Sequence, residues 1–339
     1  MKTPLLRFLL PLTALGTVLW LTAAEPAVST LIRQANGEIL LTSTADAGAF
    51  YRIETSPNLA QWTPYITVRS TGTDQLLDVA APHLGRRFYR AMPVAGTNVF
   101  TGDHLATNNG DAILHPIGHA SVAVTWNSKV LYSDPSDANG NAPRFTGLPL
   151  ADIIVITHDH GDHFAPGRLN LLVKADTAIF APQFVFNSMS TTNVPGQTFT
   201  LRSRTTVMAV GATGTAHGMN IRAIAMYNFD NSPHPATGTV SGNGRGYVVT
   251  LGGKNLYFSG DTEDIPEMRA LTGIDAAFVC MSLTSNMTVD AAASAVRQFR
   301  PRIVFPYHYT QSGTTFNTQR FKDLVGTDLG IEVRRRAFY

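Results

Sequence analysis

Residues Ile156 to His163 read ITHDHGDH, which places three of the chain's ten histidines within six positions and interleaves them with Asp159 and Asp162. Imidazole nitrogens mixed with carboxylate oxygens at this density are the donor set of a divalent transition metal. In an extended segment, residues two apart share a face, so His158 and His160 converge on one ion while Asp159 points away. Gly161 lets the backbone turn, and Asp162 and His163 then address a neighbouring point. The spacing predicts two adjacent metal positions whose remaining ligands come from elsewhere in the chain.

Three later stretches supply candidates. NLYFSGDT puts Asp261 just past an apolar run, RIVFPYHY does the same for His308, and IRAIAMYNFDNSPHP carries His234 a few residues beyond another. His217, in GTAHGMN ahead of that last run, is a further candidate. Ligands at strand ends along one sheet edge can meet in a single cleft. His119, in GHASV, is a candidate catalytic group, a brace for a ligand near the cleft, or a structural histidine, and Asp134 in YSDP could brace the ligand loop.

A cation held by imidazoles lowers the pKa of a bound water from about 16 to about 7 and polarises the bond under attack. The expected reaction is therefore hydrolysis at near-neutral pH, with Asp162 orienting the water. Zinc is the first expectation; manganese and iron accept the same ligands. The chain has no Gly-x-Ser-x-Gly elbow and no Walker-type phosphate loop to offer a competing route.

The order His-x-His-x-Asp-His, Gly-Asp-Thr and a late His resembles the metallo-β-lactamase-fold hydrolases. GHASV, YSDP, LYFSGDTEDIPEM and PYHY are most similar to the branch holding ascorbate-phosphate lactonase and N-acyl-phosphatidylethanolamine phospholipase D. The likeness runs over residues 110 to 339. It implies an α/β fold, the αββα sandwich of two sheets flanked by helices, with a mono- or dinuclear metal cleft along one edge. It also implies His158, His160 and a third histidine on one metal, Asp162, His163 and His308 on the other, and Asp261 between them. Asn228 stands at the strand end where that branch often has His, so His234 is the expected third histidine, with His217 as its rival. Its substrates would be esters, lactones or phosphodiesters, with phosphodiesterase activity slightly ahead of lactonase.

The elements that must position these residues are legible as apolar runs. DIIVIT, KVLYSD, GYVVTL, NLYFSG, AAFVCMS and RIVFPY read as strands, and helices are expected near 167–174, 267–271, 289–298 and 317–325. Alternating strands and helices imply sheets covered by helices. Residues 97–339 form the expected hydrolase domain. Residues 25–96 instead show short extended segments with Gly, Asp, Asn and Pro punctuation, expected to form a small all-β, sandwich-like accessory module with Tyr51, Trp62, Phe88 and Tyr89 in its core. The small residues of VAGTNVFTGDH suggest a linker.

Residues 1–24 combine a basic lead, an apolar stretch and small residues at Thr22 to Ala24, the layout of a secretory signal. Periplasmic or extracellular placement follows, with an uncleaved membrane anchor as the alternative. A net charge of +2 and the absence of long basic blocks argue against nucleic acid as partner. The expected partner is a small or lipid-like substrate. A second reading is an exported glycan- or surface-binding protein on a catalytically silent scaffold. Cys280 is the lone cysteine, so no intrachain disulfide is available.

Overall fold

The computed structural model describes residues 25–84, 86–96, 99–230, 234, 244–282, 286–311 and 314–338. The expected signal segment, 1–24, lies outside the described residues.

Two large sheets face each other. The first has ten strands, ordered Thr205–Val207, Ala178–Ala181, Ile153–Val155, Lys129–Ser133, Ser121–Trp126, Gly110–Gly118, Gly102–Thr107, Thr63–Arg69, Phe50–Ser56 and Phe88–Pro93. The second has seven, ordered Thr213–Ala216, Met219–Met226, Gly244–Leu251, Lys254–Phe258, Ala276–Cys280, Ile303–Tyr307 and Glu332–Val333.

Side-chain alternation along the strands separates the layers. Val122, Val124, Leu131, Ile153 and Val155 point into the core shared with Ile221, Tyr247 and Val249 of the second sheet. Their neighbours Ala123, Tyr132, Ile154 and Ile156 point outward and pack with Leu169, Leu172 and Val185. Those three belong to helices Pro166–Leu172 and Gln183–Ser188. A strand buried on both faces reads as a continuous apolar run, which is why DIIVI shows no polar alternation. On the far side, helix Val289–Phe299 buries Ala292, Ala295, Val296 and Phe299. Thr288 caps it by accepting the Ala291 N–H, and Asn317 caps helix Thr318–Val325 through the Arg320 N–H. The architecture is the αββα sandwich. The short helix Gln183–Ser188 is an addition to the helices expected from the sequence.

The N-terminal segment is not set apart from the first sheet. Its strand Thr63–Arg69 pairs with Gly102–Thr107 through Ile66↔Asp103 and Thr67↔Gly102, so part of the stretch that reads as a linker is itself a strand. A separate sheet of three strands, Ala27–Arg33, Ile39–Thr44 and Thr73–Asp78, completes a small core of Leu41, Tyr51, Ile53, Tyr65 and Ile66. Tyr51 is in that core as expected. Trp62 is not: it is half-buried beneath the Arg90 guanidinium, 4.3 Å from its ring centroid.

Strand direction then decides where the chemistry gathers. Lys129–Ser133, Ile153–Val155 and Ala178–Ala181 are parallel, as are Lys254–Phe258, Ala276–Cys280 and Ile303–Tyr307. Met219–Met226 shares the direction of Lys254–Phe258, because both are antiparallel to Gly244–Leu251 between them. Their C-terminal ends deliver Asp134, the loop 156–163, Asn228, Asp261 and His308. The turn carrying His119 joins Gly110–Gly118 to Ser121–Trp126, and the latter's N-terminal end lies beside Ser133.

Candidate metal centre

The loop 156–163 is tied to both sheets. Tyr247 Oη donates to the Ile156 carbonyl (3.0 Å), and the Arg245 N–H donates to the Thr157 carbonyl (2.8 Å). Gly260, at φ +59°, turns the chain against Thr157 and Met226, where a Cβ would lie 2.9 Å from Thr157 Cβ and 2.5 Å from Met226 Sδ. This close approach places Asp261 against the histidine loop.

Two clusters result. Ligand-type atoms of His158, His160 and His234 lie within 4.8 Å of one another, as do those of His119, Asp162, His163 and His308. A third group, His158, His163 and Asp261, meets the same limit and joins the two. His158 Nε2 is 3.0 Å from His160 Nδ1, and His234 Nε2 is 3.3 Å from the same atom. His217 stands elsewhere, with Nε2 2.9 Å from the Asp176 carbonyl, near an Asp152 carboxylate already bound by Lys129 and Lys174. Every residue predicted as a ligand is thus brought into one constellation, and the rival His217 is not.

Groups behind the cluster fix how the rings face. Thr157 Oγ1 donates to Asp134 Oδ2 (2.7 Å) and therefore accepts from His158 Nδ1 (2.9 Å), which leaves His158 Nε2 as the inward acceptor. Asp134 Oδ2 is 2.9 Å from His163 Nδ1. Ser282 Oγ, itself receiving the Asn286 amide at 2.7 Å, is 3.2 Å from His308 Nδ1. The inner atoms His163 Nε2, His308 Nε2 and Asp261 Oδ1 are buried with no hydrogen-bond partner. His163 Nε2 lies 3.2 Å from Asp261 Oδ1 and His308 Nε2 lies 3.2 Å from Asp261 Oδ2, off the alignment a hydrogen bond needs. Buried polar atoms are rarely left this way unless another partner binds them. Outer nitrogens held and inner nitrogens bare is the arrangement of metal-ligating histidines, so the donor set fits divalent ions.

The electrostatics agree with that fit. Burial would raise the carboxyls of Asp261 and Asp162, yet the surrounding imidazoles hold both well below the usual range. Burial would lower His163, but Asp261, Asp162 and Asp134 push it well above its ordinary value. Burial pushes His158 well down, with His163 adding to the effect. His119 is pushed down to about 4 by burial, against the opposing pull of Asp162. A neutral His119 beside an ionised carboxylate must donate its Nε2–H, and Nε2 is 2.8 Å from Asp162 Oδ2. The sequence marks Asp134 only faintly: it stands one residue past the apolar strand KVLYS, a clue it shares with the ligands.

A family model for the beta-lactamase superfamily domain matches residues 134–309, just over half of the chain. A UPF0173 metal-dependent hydrolase of Thermus thermophilus is 29% identical over 196 residues, spanning 57% of this chain and 81% of that protein. Among solved structures, a Parabacteroides distasonis protein assigned as a metal-dependent hydrolase superposes with a TM-score of 0.58 at 34% identity, covering 70% of this chain and 99% of that one. A metallo hydrolase of the archaeon Ignicoccus hospitalis, 20% identical, shares the fold with a TM-score of 0.52 over 66% of this chain and 94% of its own. With the matched segment running from Asp134 to Tyr309 and so containing every predicted ligand, the chain belongs to the beta-lactamase superfamily and is a metal-dependent hydrolase on the metallo-β-lactamase fold.

Proposed function

We propose that the chain hydrolyses an ester, lactone or phosphodiester, with a phosphodiester as the first substrate class to test, and that it holds two divalent ions, zinc before manganese or iron. The observation that carries this reading is the pair of abutting ligand clusters joined through Asp261. When bound, such ions supply a water acidic enough to ionise near neutral pH and a positive charge beside the bond under attack.

The chain's own residues do the rest. His158, His160 and His234 would hold one ion and His163, His308 and Asp162 the other, with Asp261 reaching both. Asp162, partly exposed while His119, His163 and His308 around it are buried, is the carboxylate placed to accept a proton from the attacking water. His119 fixes its orientation by donating to Oδ2. The resemblance of the motifs to the phospholipase D branch favours a phosphodiester and a small or lipid-like substrate. The basic-then-apolar layout of residues 1–24 supports export, so the working compartment we propose is periplasmic or extracellular.

The test pairs elemental analysis with turnover of bis-p-nitrophenyl phosphate, a p-nitrophenyl ester and a lactone. Wild-type protein should carry stoichiometric metal and turn over the diester fastest, and the variant combining His158→Ala with His160→Ala should lose metal and activity together. Wild type without metal after reconstitution overturns the reading; faster ester or lactone turnover moves the substrate class.

A further inference from the structure

Strand Glu332–Val333 runs parallel to Ile303–Tyr307, so the residues after it arrive at the sheet edge that carries His308. Two arginines fasten this segment. Arg334 Nη1 is 3.0 Å from Asp103 Oδ1, and Arg336 places Nε 2.8 Å from Oδ2 and Nη2 2.6 Å from Oδ1 of the same buried carboxylate. The Arg334 guanidinium also lies 4.9 Å from the ring centroid of Tyr65, a core residue of the N-terminal segment. Beyond the arginines, Phe338 is fully buried, edge-on to Tyr307 and Tyr309 at centroid distances of 6.1 and 6.4 Å.

Phe338 then reaches the site through its backbone. Its carbonyl accepts the His119 N–H at 2.8 Å, and the His119 carbonyl accepts the His308 N–H at 3.0 Å. Both histidines sit in the left-handed region, at φ +52° and +47°, a conformation that persists in a non-glycine residue only when its surroundings impose it. The His119 ring lies 3.9 Å from that of His308, centroid to centroid, and holds Asp162 with Nε2.

We infer that Arg334 to Phe338 form a positioning strap: anchored on Asp103 and on Phe338's aromatic seat, it sets the backbone of His119 and through that ring the orientation of Asp162. A buried ionic anchor is a poor source of net stability, because desolvation offsets much of the attraction, and orientation is what it supplies here. Phe338 is a positioning residue and touches no substrate. The kinetic arm of the test rests on the hydrolase reading; the spectroscopic arm does not.

The test compares wild type with Phe338→Ala and with a chain ending at Arg336, each also on a His119→Ala background. Metal content should stay at the wild-type level, while kcat for bis-p-nitrophenyl phosphate falls about tenfold or more with little change in KM, the scale of loss when a ligand-orienting group is removed. On the His119→Ala background, Phe338→Ala should cost nothing further, because both changes act through one ring. In metal-free protein, the imidazole nitrogen NMR signals of His119 should move in both strap variants. Additive losses in the double variant, or unmoved His119 signals, overturn the strap. If wild type turns over no substrate, the hydrolase reading fails and the imidazole spectrum alone decides. Should the shortened chain not fold, the same two readouts on Phe338→Ala decide.

Discussion

Asp134 and His163 are joined by a carboxylate–imidazole contact of 2.9 Å in which neither side chain is exposed. The same carboxylate accepts the backbone N–H and the hydroxyl of Thr157, each at 2.7 Å, so one buried acid organises the start and the end of the ligand loop. Asp134→Asn keeps the volume and loses the charge that draws the His163 proton to Nδ1. Metal affinity should fall about 10- to 100-fold, as for other partners of ligating histidines. Competition against a chromophoric chelator measures it, and unchanged affinity would reduce Asp134 to a packing role.

Metal-free protein should weaken as the solution becomes alkaline. Burial alone would lower the His308 pKa, but Asp261 and Asp162 outweigh it and push it up to about 9. The folded value exceeds the ordinary one of about 6.5, so this contribution is complete below about pH 6.5 and lost as pH rises through about 9. The Tm of chelator-treated protein should drop across that interval, and His308→Gln should flatten the drop. Because ligation needs the unprotonated ring, metal affinity should rise over the same range.

Gly260→Ala should damage the site without touching a ligand. The new methyl group would meet Thr157 and Met226 at under 3 Å from a backbone already at φ +59°. Overpacking of this kind costs about 1–3 kcal/mol, and relief requires the Asp261 turn to move off the histidine loop. Urea unfolding should register the loss of stability, with a parallel fall in bound metal. A variant that is less stable but fully loaded would show that the turn can shift without carrying Asp261.

Asp103→Asn tests the anchor under the C-terminal segment. Burial would raise its carboxyl, but Arg336 and Arg334 hold it below the usual range. Its stabilising contribution is therefore present above about pH 3.9 and lost as the solution falls through the lower folded value. Removing one partner of a buried ionic group costs about 3–5 kcal/mol at neutral pH. Urea midpoints at pH 7 should fall accordingly, and the acid limb of the stability profile should become shallower than in wild type.

The ligand loop is legible in the sequence because its information is local: His158, His160, Asp162 and His163 follow one apolar strand, and the donor chemistry is carried by residue type. Asp261 and His308 are legible for a related reason, since His308 directly follows, and Asp261 stands three residues past, an apolar run that had to be a buried strand. His234 is harder. It lies six residues past Asn228 rather than at the strand end, and what distinguishes it from His217 is a fold-back, visible only in space, that puts its carbonyl 2.7 Å from the Asn228 N–H. The pairing of Thr63–Arg69 with Gly102–Thr107 escapes the sequence because a ladder between distant segments leaves no periodic mark of its own. Helix Gln183–Ser188 escapes because six residues give the 3.6-residue period too little length to declare itself.

That pairing has a consequence for how the protein can be dissected. Cutting the N-terminal segment away would leave Gly102–Thr107 as a bare sheet margin, its amides and carbonyls open to any second molecule able to lie alongside. Excision would expose a sticky seam rather than liberate a self-sufficient enzyme, and the first sign of it would be higher-order species on a sizing column.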